Sequence, residues 1–412
     1  MTSIVPLEIL LAGSLIVLAI LTKHFLTRIK VPALIGYLLL GFILRLADEQ
    51  GQFLSRDVLG VFEFLASIGL IILLFRVGLH SNLAGLIRQL RHASVIWVGN
   101  VLFSGVLGFL AARYLFKLGL IPSLFVGTAL TATSVGVAIA AWQEQRALDS
   151  ENGDLLIDVA EMDDISSVMF MTLLLAITPI LRGAPELTLS QALSATAIDI
   201  LLKVFVFGAL CCLFSQFAEE RVMTFFRKIR PAPDPMLLVV GTGFIIAALA
   251  GWLGFSLAVG ALFAGLVFSR DPRSIKVEAS FGALFELFTP FFFIDIGLRI
   301  DPHSLATATH LGLGLLAVAI VGKLLGTGVP TLWVSGWTSA VLLSISMVPR
   351  AEIAMVIMQY GRTLGDWAVP QPVFSSMVLV SAATCLLTPG LLRPLLGRWP
   401  QGKEITECRS IS

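Results

Sequence analysis

Charge is the first thing this chain lacks. Only 13% of its 412 residues are Asp, Glu, Lys or Arg, about half the share that a water-facing domain carries. Such a chain cannot clothe a soluble surface. A net charge of +1 removes the electrostatic case for a nucleic-acid partner. Histidine is scarce and scattered, and the four cysteines stand at 211, 212, 385 and 408. They offer neither C-x-x-C spacing nor a metal-ligand cluster, so the thiols read as structural or incidental. No nucleophile–base pair, metal motif or cofactor fingerprint is evident, which makes an enzyme the least favoured class. The first apolar segment, 4–26, has no basic n-region and no A-x-A site; it reads as a retained helix rather than a signal peptide.

What the chain has instead is apolar length. Hydrophobic residues make up 57% of it, in recurrent stretches of about 20 residues, each enough to cross a hydrocarbon core of roughly 30 Å. Their Leu, Ala, Gly and Val content without strand alternation argues for an all-α polytopic membrane protein and against a barrel. Thirteen helices are expected, at 4–26, 31–47, 58–80, 90–117, 121–143, 154–181, 189–217, 234–252, 255–270, 279–300, 308–334, 337–361 and 370–396. With an odd count, the basic clusters Lys23/Arg28/Lys30, Arg88/Arg91, Arg221/Arg227/Lys228/Arg230, Arg270/Arg273/Lys276 and Arg393/Arg398/Lys403/Arg409 share one side. The other side keeps little beyond Arg45, Arg56, Arg113, Lys117, Arg182, Arg299 and Arg362. The positive-inside rule then sets the N-terminus outside and the C-terminus in the cytoplasm, as in a bacterial inner membrane.

A repeat runs through the chain. Helix 2 carries Leu34-Ile-Gly36-Tyr-Leu-Leu-Leu-Gly41 and helix 9 carries Ala258-Val-Gly260-Ala-Leu-Phe-Ala-Gly265. Helix 3 ends Phe75-Arg76-Val-Gly78-Leu79 and helix 10 ends Ile294-Asp295-Ile-Gly297-Leu298. Both pairs lie seven helices apart, an offset that reverses membrane orientation. Residues 1–182 and 234–396 therefore read as two inverted six-helix repeats, 183–233 as a connecting helix with a basic loop, and 397–412 as a short tail. Inverted repeats of this kind mark secondary transporters.

Ionisable residues inside spanning helices are costly and functional by default. Asp163 and Asp164 fall in helix 6, about 100° apart on its wheel, so one can face a hydrated cavity and bind a hard cation while the other pairs with a base. The competing reading starts the helix after Asp164 and leaves the acids solvated. The candidate base is Lys323, half-way along the apolar run of helix 11 in Gly322-Lys323-Leu-Leu-Gly326; it must pair, deprotonate or snorkel. Helix 5 contains Gly127-Thr128-Ala-Leu-Thr131-Ala132-Thr133-Ser134-Val-Gly136, and helix 12 contains Ser346-Met-Val-Pro349-Arg350-Ala-Glu352. Hydroxyls and glycines in the first, and the missing donor of Pro349 in the second, predict interrupted helices at matching repeat positions, the best pointer to a midplane ion site.

Taken in order, these motifs resemble the bacterial sodium/proton antiporters of the cation:proton antiporter superfamily, over essentially the whole chain. The resemblance implies broken helices 5 and 12 that cross near the midplane, with Thr131, Thr133 and Ser134 at the crossover and Pro349, Arg350 and Glu352 supporting it. It implies that Asp164 takes Na⁺ (as a transient ligand) or a proton in turn, that Asp163 salt-bridges Lys323, and that exchange is electrogenic. It also implies a homodimer and no cofactor beyond the transported ions. Three charges depart from the pattern: Arg76, Glu161 and Asp295. Arg76 and Asp295 occupy equivalent repeat positions, where they either meet and neutralise each other or stay solvated near the helix ends; Glu161 stands one turn before Asp164. Two alternatives stay open. One is a potassium/proton antiporter of the same superfamily, although the roughly 16 residues after helix 13 hold no G-x-G-x-x-G and disfavour a ligand-gated efflux system. The other is a channel-like or non-transporting protein that retains the fold.

Overall fold

The structure, a computed structural model, describes residues 5–183 except 30, 52–53, 81–82 and 149, and residues 235–401 except 254–256 and 269–273. Between these stretches it describes only 198, 202–203, 205–211 and 213, so expected helix 7 and the basic loop after it lie largely outside the described residues. Among the described residues the regular elements are all helical: α1 (Val5–Arg28), α2 (Ala33–Gly51), α3 (Arg56–His80), α4 (Leu83–Leu110, extended by a π-turn Ala111–Leu115), α5 (Leu120–Thr131), α6 (Val135–Glu144), α7 (Glu151–Gly183), α8 (Pro235–Trp252), α9 (Leu257–Phe268), α10 (Ser274–Leu298), α11 (Leu305–Ser346), α12 (Glu352–Leu364) and α13 (Gln371–Arg398). Among the described residues, eight helical stretches are long and apolar enough to cross a membrane. Expected helices 8 and 9 are apolar but shorter, and α2 carries Arg45, Asp48 and Glu49 near its end.

The chain separates into two compact units, 1–83 with 168–302 and 84–167 with 303–412. Each therefore draws helices from both sequence repeats. In the first unit, α2 packs against α10 and α3 against α9. The crossings are set by glycine, since backbones approach this closely only where no Cβ intervenes. A Cβ on Gly41 would stand 2.0 Å from the Ile294 carbonyl oxygen, and one on Gly297 would stand 2.2 Å from that of Leu38. On the other pair, a Cβ on Gly78 would lie 2.1 Å from the Leu262 oxygen and one on Gly265 2.1 Å from the Phe75 oxygen. The sequence repeat equates α2 with α9 and α3 with α10. The crossing of α2 on α10 thus has its counterpart in α9 on α3, as an internal two-fold repeat requires.

The first unit also decides between the two readings of Arg76 and Asp295. Arg76 stands with its guanidinium 4.2 Å from the centre of the Phe285 ring, whereas Asp295 accepts a 2.9 Å hydrogen bond from Nε of Arg299, which also reaches Glu63 at 2.9 Å. Phe285 and Asp295 are ten residues apart on α10, about 15 Å of helix rise. Repeat-equivalent charges in an inverted repeat fall towards opposite ends of the fold, so Arg76 and Asp295 do not neutralise each other.

In the second unit the chain reverses at a single residue. Gly336 has φ 82° and ψ −179°, a conformation essentially restricted to glycine. A Cβ on Gly328 would lie 3.5 Å from Cβ of Ser344, although 16 residues of continuous helix would separate them by about 24 Å. Residues 305–335 and 337–346 therefore form a helical hairpin, the two sequence-expected helices meeting at Gly336 without a loop.

Candidate ion-binding site

Two breaks define the site, and both follow from local chemistry. After Thr131, residues 132–134 leave helical geometry, with Ala132 at φ −58°, ψ 148° and Ser134 at φ −105°, ψ 88°. Threonine and serine hydroxyls compete for backbone groups here: Oγ1 of Thr131 donates to the Thr128 carbonyl at 2.7 Å. Between α11 and α12, residues 348–351 leave helical geometry, with Ala351 at φ −143°, ψ −102°; Pro349 supplies no N–H and disfavours helix at Val348. The two breaks meet. The Ser134 amide donates to the Pro349 carbonyl at 2.8 Å, and Nη1 of Arg350 donates to the carbonyls of Ala132 and, at 3.3 Å, Thr131. The residues of helices 5 and 12 thus cross where both are unwound.

Helix ends at such a crossing leave unsatisfied groups and partial charges. The carbonyl end of α5 faces two cations, since Thr131 O accepts from Nζ of Lys323 at 2.7 Å as well as from Arg350. The amide end of α12 carries Glu352 in its first turn, and the Glu352 carboxylate accepts from Oγ of Ser134 at 2.7 Å. Helix α13 completes the support: Oγ1 of Thr384 accepts from the Arg350 amide at 3.0 Å, and the Cys385 thiol donates to the Arg350 carbonyl at 3.4 Å. Cys385 is therefore placed to hold the break open. Cys211 is buried in the first unit, and Cys212 and Cys408 lie outside the described residues.

Asp163 and Lys323 come together with neither side chain exposed to any degree, Nζ standing 3.4 Å from Oδ2. Thr133 fills the gap. Its hydroxyl donates to Oδ2 of Asp163 at 2.5 Å and accepts from Nζ at 2.7 Å. The three protons of the ammonium are thereby directed at Thr131 O, Thr133 Oγ1 and Asp163 Oδ2. Oδ1 of Asp163 accepts from Nδ2 of Asn100 at 2.8 Å, and Oδ1 of Asn100 faces the Thr327 hydroxyl at 3.3 Å. This makes a closed network, each of whose carboxylate oxygens has a donor, as a buried charge requires.

Asp164, one residue on, is placed differently. It is half-buried and, among the described residues, its side chain makes no hydrogen bond or ion pair. Glu161, one turn earlier, and Glu352 are half-buried too. On α7 the accessible positions 151, 154, 158, 161 and 164 alternate with the buried positions 155, 156, 159, 160 and 163. The helix therefore continues through the aspartate pair, with Asp163 on its sealed face and Asp164 on its accessible one. It begins at Glu151, which disposes of the alternative start after Asp164. Lys323 does not snorkel; it is wholly buried.

The sequence reading missed Asn100, Thr327, Thr384 and Cys385. Asn100 had a signal, being an amide in the apolar run of helix 4, where an unpaired polar group is expensive. Arg76 and Asp295 belong to the other unit. Trp97 and Trp142 fix the surrounding helices through indole hydrogen bonds to Ser166 at 3.0 Å and Ser346 at 2.9 Å.

Comparison with known proteins gives the same picture at three levels. A family model described as a transmembrane sodium/hydrogen exchanger matches residues 13–398. The chain is 27% identical to a Na⁺/H⁺ antiporter of Enterococcus hirae, over 90% of this chain and 93% of that one. It is also 27% identical to the high-affinity Na⁺/H⁺ antiporter NhaS3 of Synechocystis, over 84% of this chain and 74% of the relative. A chloroplastic K⁺ efflux antiporter of Arabidopsis thaliana shares 25% identity over 88% of this chain, but the match spans only 30% of that longer protein. Among solved structures, the fold matches the sodium proton antiporter MjNhaP1 from Methanocaldococcus jannaschii with a TM-score of 0.74 at 17% identity, covering 96% of this chain and 98% of that one.

Proposed function

Since the chain belongs to the transmembrane sodium/hydrogen exchanger family, a family of transporters and not of catalytic enzymes, we propose that it exchanges Na⁺ or Li⁺ for protons electrogenically. That it is a multi-pass cation/proton antiporter follows from the family and from its relatives; the cation, the charge balance and the residue roles are the proposal. The observation that carries it is the unequal placement of the paired acids: Asp163 is closed into a hydrogen-bonded network with Lys323, and Asp164 is half-buried with no side-chain hydrogen bond or ion pair among the described residues.

A carboxylate at Asp164 holds a proton or a cation, not both, so each displaces the other. The hard oxygen ligand suits an alkali cation. Cation entry rearranges the crossover, draws Asp163 away from Lys323, and lets the ammonium release its own proton. Return of protons restores the pair. Movement of two protons against one cation makes the cycle electrogenic. Alternating access follows when the helices bearing the crossover move relative to a scaffold. Protein orientation with the N-terminus outside and the C-terminus in the cytoplasm, in a bacterial inner membrane, is part of the proposal, as is assembly into a homodimer.

Potassium is the second reading, favoured by relatives named as K⁺ efflux and Na⁺/H⁺-K⁺ antiporters. Proteoliposomes loaded with a pH-sensitive dye, challenged with Na⁺, Li⁺ and K⁺ in turn, separate the readings. The proposal expects dequenching with Na⁺ and Li⁺ and none in Asp164→Asn; sustained coupled exchange in that variant refutes the role of Asp164. Cation flux that ignores an imposed pH gradient would favour a channel.

A further inference from the structure

We propose that the second unit carries a binding site for one anionic phospholipid, formed by the π-turn of α4 and the facing side of α11. The groove has a volume of about 590 Å³ and is lined by Leu107, Leu110, Tyr114 and Leu115 on one wall and by Ala317 and Val321 on the other, among apolar neighbours. Its form comes from the π-turn. At Ala111–Leu115 the ladder shifts to i→i−5, with the Phe116 amide donating to the Ala111 carbonyl at 2.9 Å. The wider turn carries Ala111, Tyr114 and Leu115 onto the groove wall. Such turns recur at functional sites.

Three features identify the occupant. The groove lies on Ala93–Leu115, apolar and long enough to span a membrane, and on 305–335, the longer arm of the apolar hairpin, so hydrocarbon is the medium that meets it. From Leu107 to Leu115 it rises roughly 12 Å along the helix, close to one leaflet's share, roughly 15 Å, of a hydrocarbon core. That is the reach of an acyl chain. On its wall Tyr114 is 71% exposed, as befits a phenol at headgroup level, and the exposed cations Arg113 and Lys117 stand one residue before it and three after it in the chain.

These cations give the headgroup its sign. Arg113 donates from Nη1 to the Leu118 carbonyl at 2.9 Å and is exposed; among the described residues neither it nor Lys117 meets a carboxylate. Lys117, exposed as well, sits at φ 55° in the left-handed turn just past the helix end. An apolar slot of nearly one-leaflet depth, with two exposed cations that meet no carboxylate next to its Tyr114 in the chain, matches a lipid phosphate with its chain. A free phosphate would use the cations and leave the slot unused.

The test is native mass spectrometry of the purified protein in detergent, titrated with phosphatidylglycerol, phosphatidylcholine or water-soluble glycerophosphate. The proposal expects a first phosphatidylglycerol adduct that outlasts the phosphatidylcholine adduct, and no adduct with glycerophosphate. Arg113→Gln with Lys117→Gln should weaken the phosphatidylglycerol adduct by about 30-fold, from roughly 5-fold per cation, and leave phosphatidylcholine unchanged. Val321→Trp, which fills the slot, should weaken both lipids. Equal retention of the two lipids by the unmodified protein overturns the proposal, as does a phosphatidylglycerol adduct indifferent to the paired charge variant. Binding of glycerophosphate as strong as that of the lipid would overturn the slot's part in it.

Discussion

Asp163 and Asp164 are neighbours in the chain and strangers in their surroundings. The first is wholly enclosed, with Asn100 on one oxygen and Thr133 and Lys323 on the other; the second lies on the accessible side of α7 with no side-chain partner among the described residues. The 100° step of the helix creates the difference. It divides the labour of the site between a residue that keeps a charge in place and one that is free to exchange its ligand.

The enclosed pair should respond to loss of either partner by destabilisation. Lys323→Met leaves the Asp163 carboxylate buried without its cation, a loss worth about 3–5 kcal/mol, read as a lower thermal unfolding midpoint in detergent. Adding Asp163→Asn to Lys323→Met should recover part of that loss, because the unpaired charge is then gone. A double variant less stable than Lys323→Met alone would contradict the pairing.

Asn100 supplies the donor that the sequence reading overlooked. Asn100→Leu removes the bond to Oδ1 of Asp163 and should cost about 1–3 kcal/mol as that oxygen loses its partner. Exchange measured in proteoliposomes should fall with it. Unchanged stability and flux would mean that the 2.8 Å contact does not hold Asp163.

The hairpin at Gly336 isolates a backbone effect. A Cβ there would touch nothing within 4 Å, so Gly336→Ala introduces no clash, only the strain of φ 82° on an L-residue. The expected cost is about 1–3 kcal/mol. Gly297→Ala differs, because its Cβ would stand 2.2 Å from the Leu38 carbonyl oxygen. It must push α2 from α10 and should cost as much as or more than core overpacking, about 1–3 kcal/mol. The order of midpoints in thermal melts checks both.

Competition at Asp164 fixes the sign of the pH dependence. While protons occupy the carboxylate, raising the pH frees it, and the apparent half-saturating cation concentration should fall by up to about tenfold per pH unit, one proton being displaced per cation. Initial exchange rates at several Na⁺ concentrations and pH values give this slope. A half-saturation constant independent of pH throughout would contradict a shared site.

Much of this was legible before any coordinates. Apolar length and Gly-spacing revealed the helices and the repeat, because membrane spanning and close crossing each leave a composition that a single chain displays. The breaks were legible from Thr131 to Ser134 and from Pro349, whose backbone preferences are local. Pairings set by distant helices were not. Asn100 and Asp163 are 63 residues apart and Thr384 and Arg350 are 34 apart, and nothing in a residue's own neighbourhood says which helix will face it. Of the two readings open for Arg76 and Asp295, a meeting at the symmetry axis does not hold, because inversion sends equivalent positions near helix ends to opposite ends.

The most direct measurement is proton release on cation binding. Purified protein in weakly buffered detergent solution, with a pH indicator, is given NaCl, then LiCl, with choline chloride as the ionic-strength control. If Asp164 holds a proton or a cation in turn, Na⁺ or Li⁺ acidifies the solution by at least one proton per ion bound, choline does not, and Asp164→Asn abolishes the signal. Saturable Na⁺ binding without proton release, or release that persists in Asp164→Asn, would contradict the account.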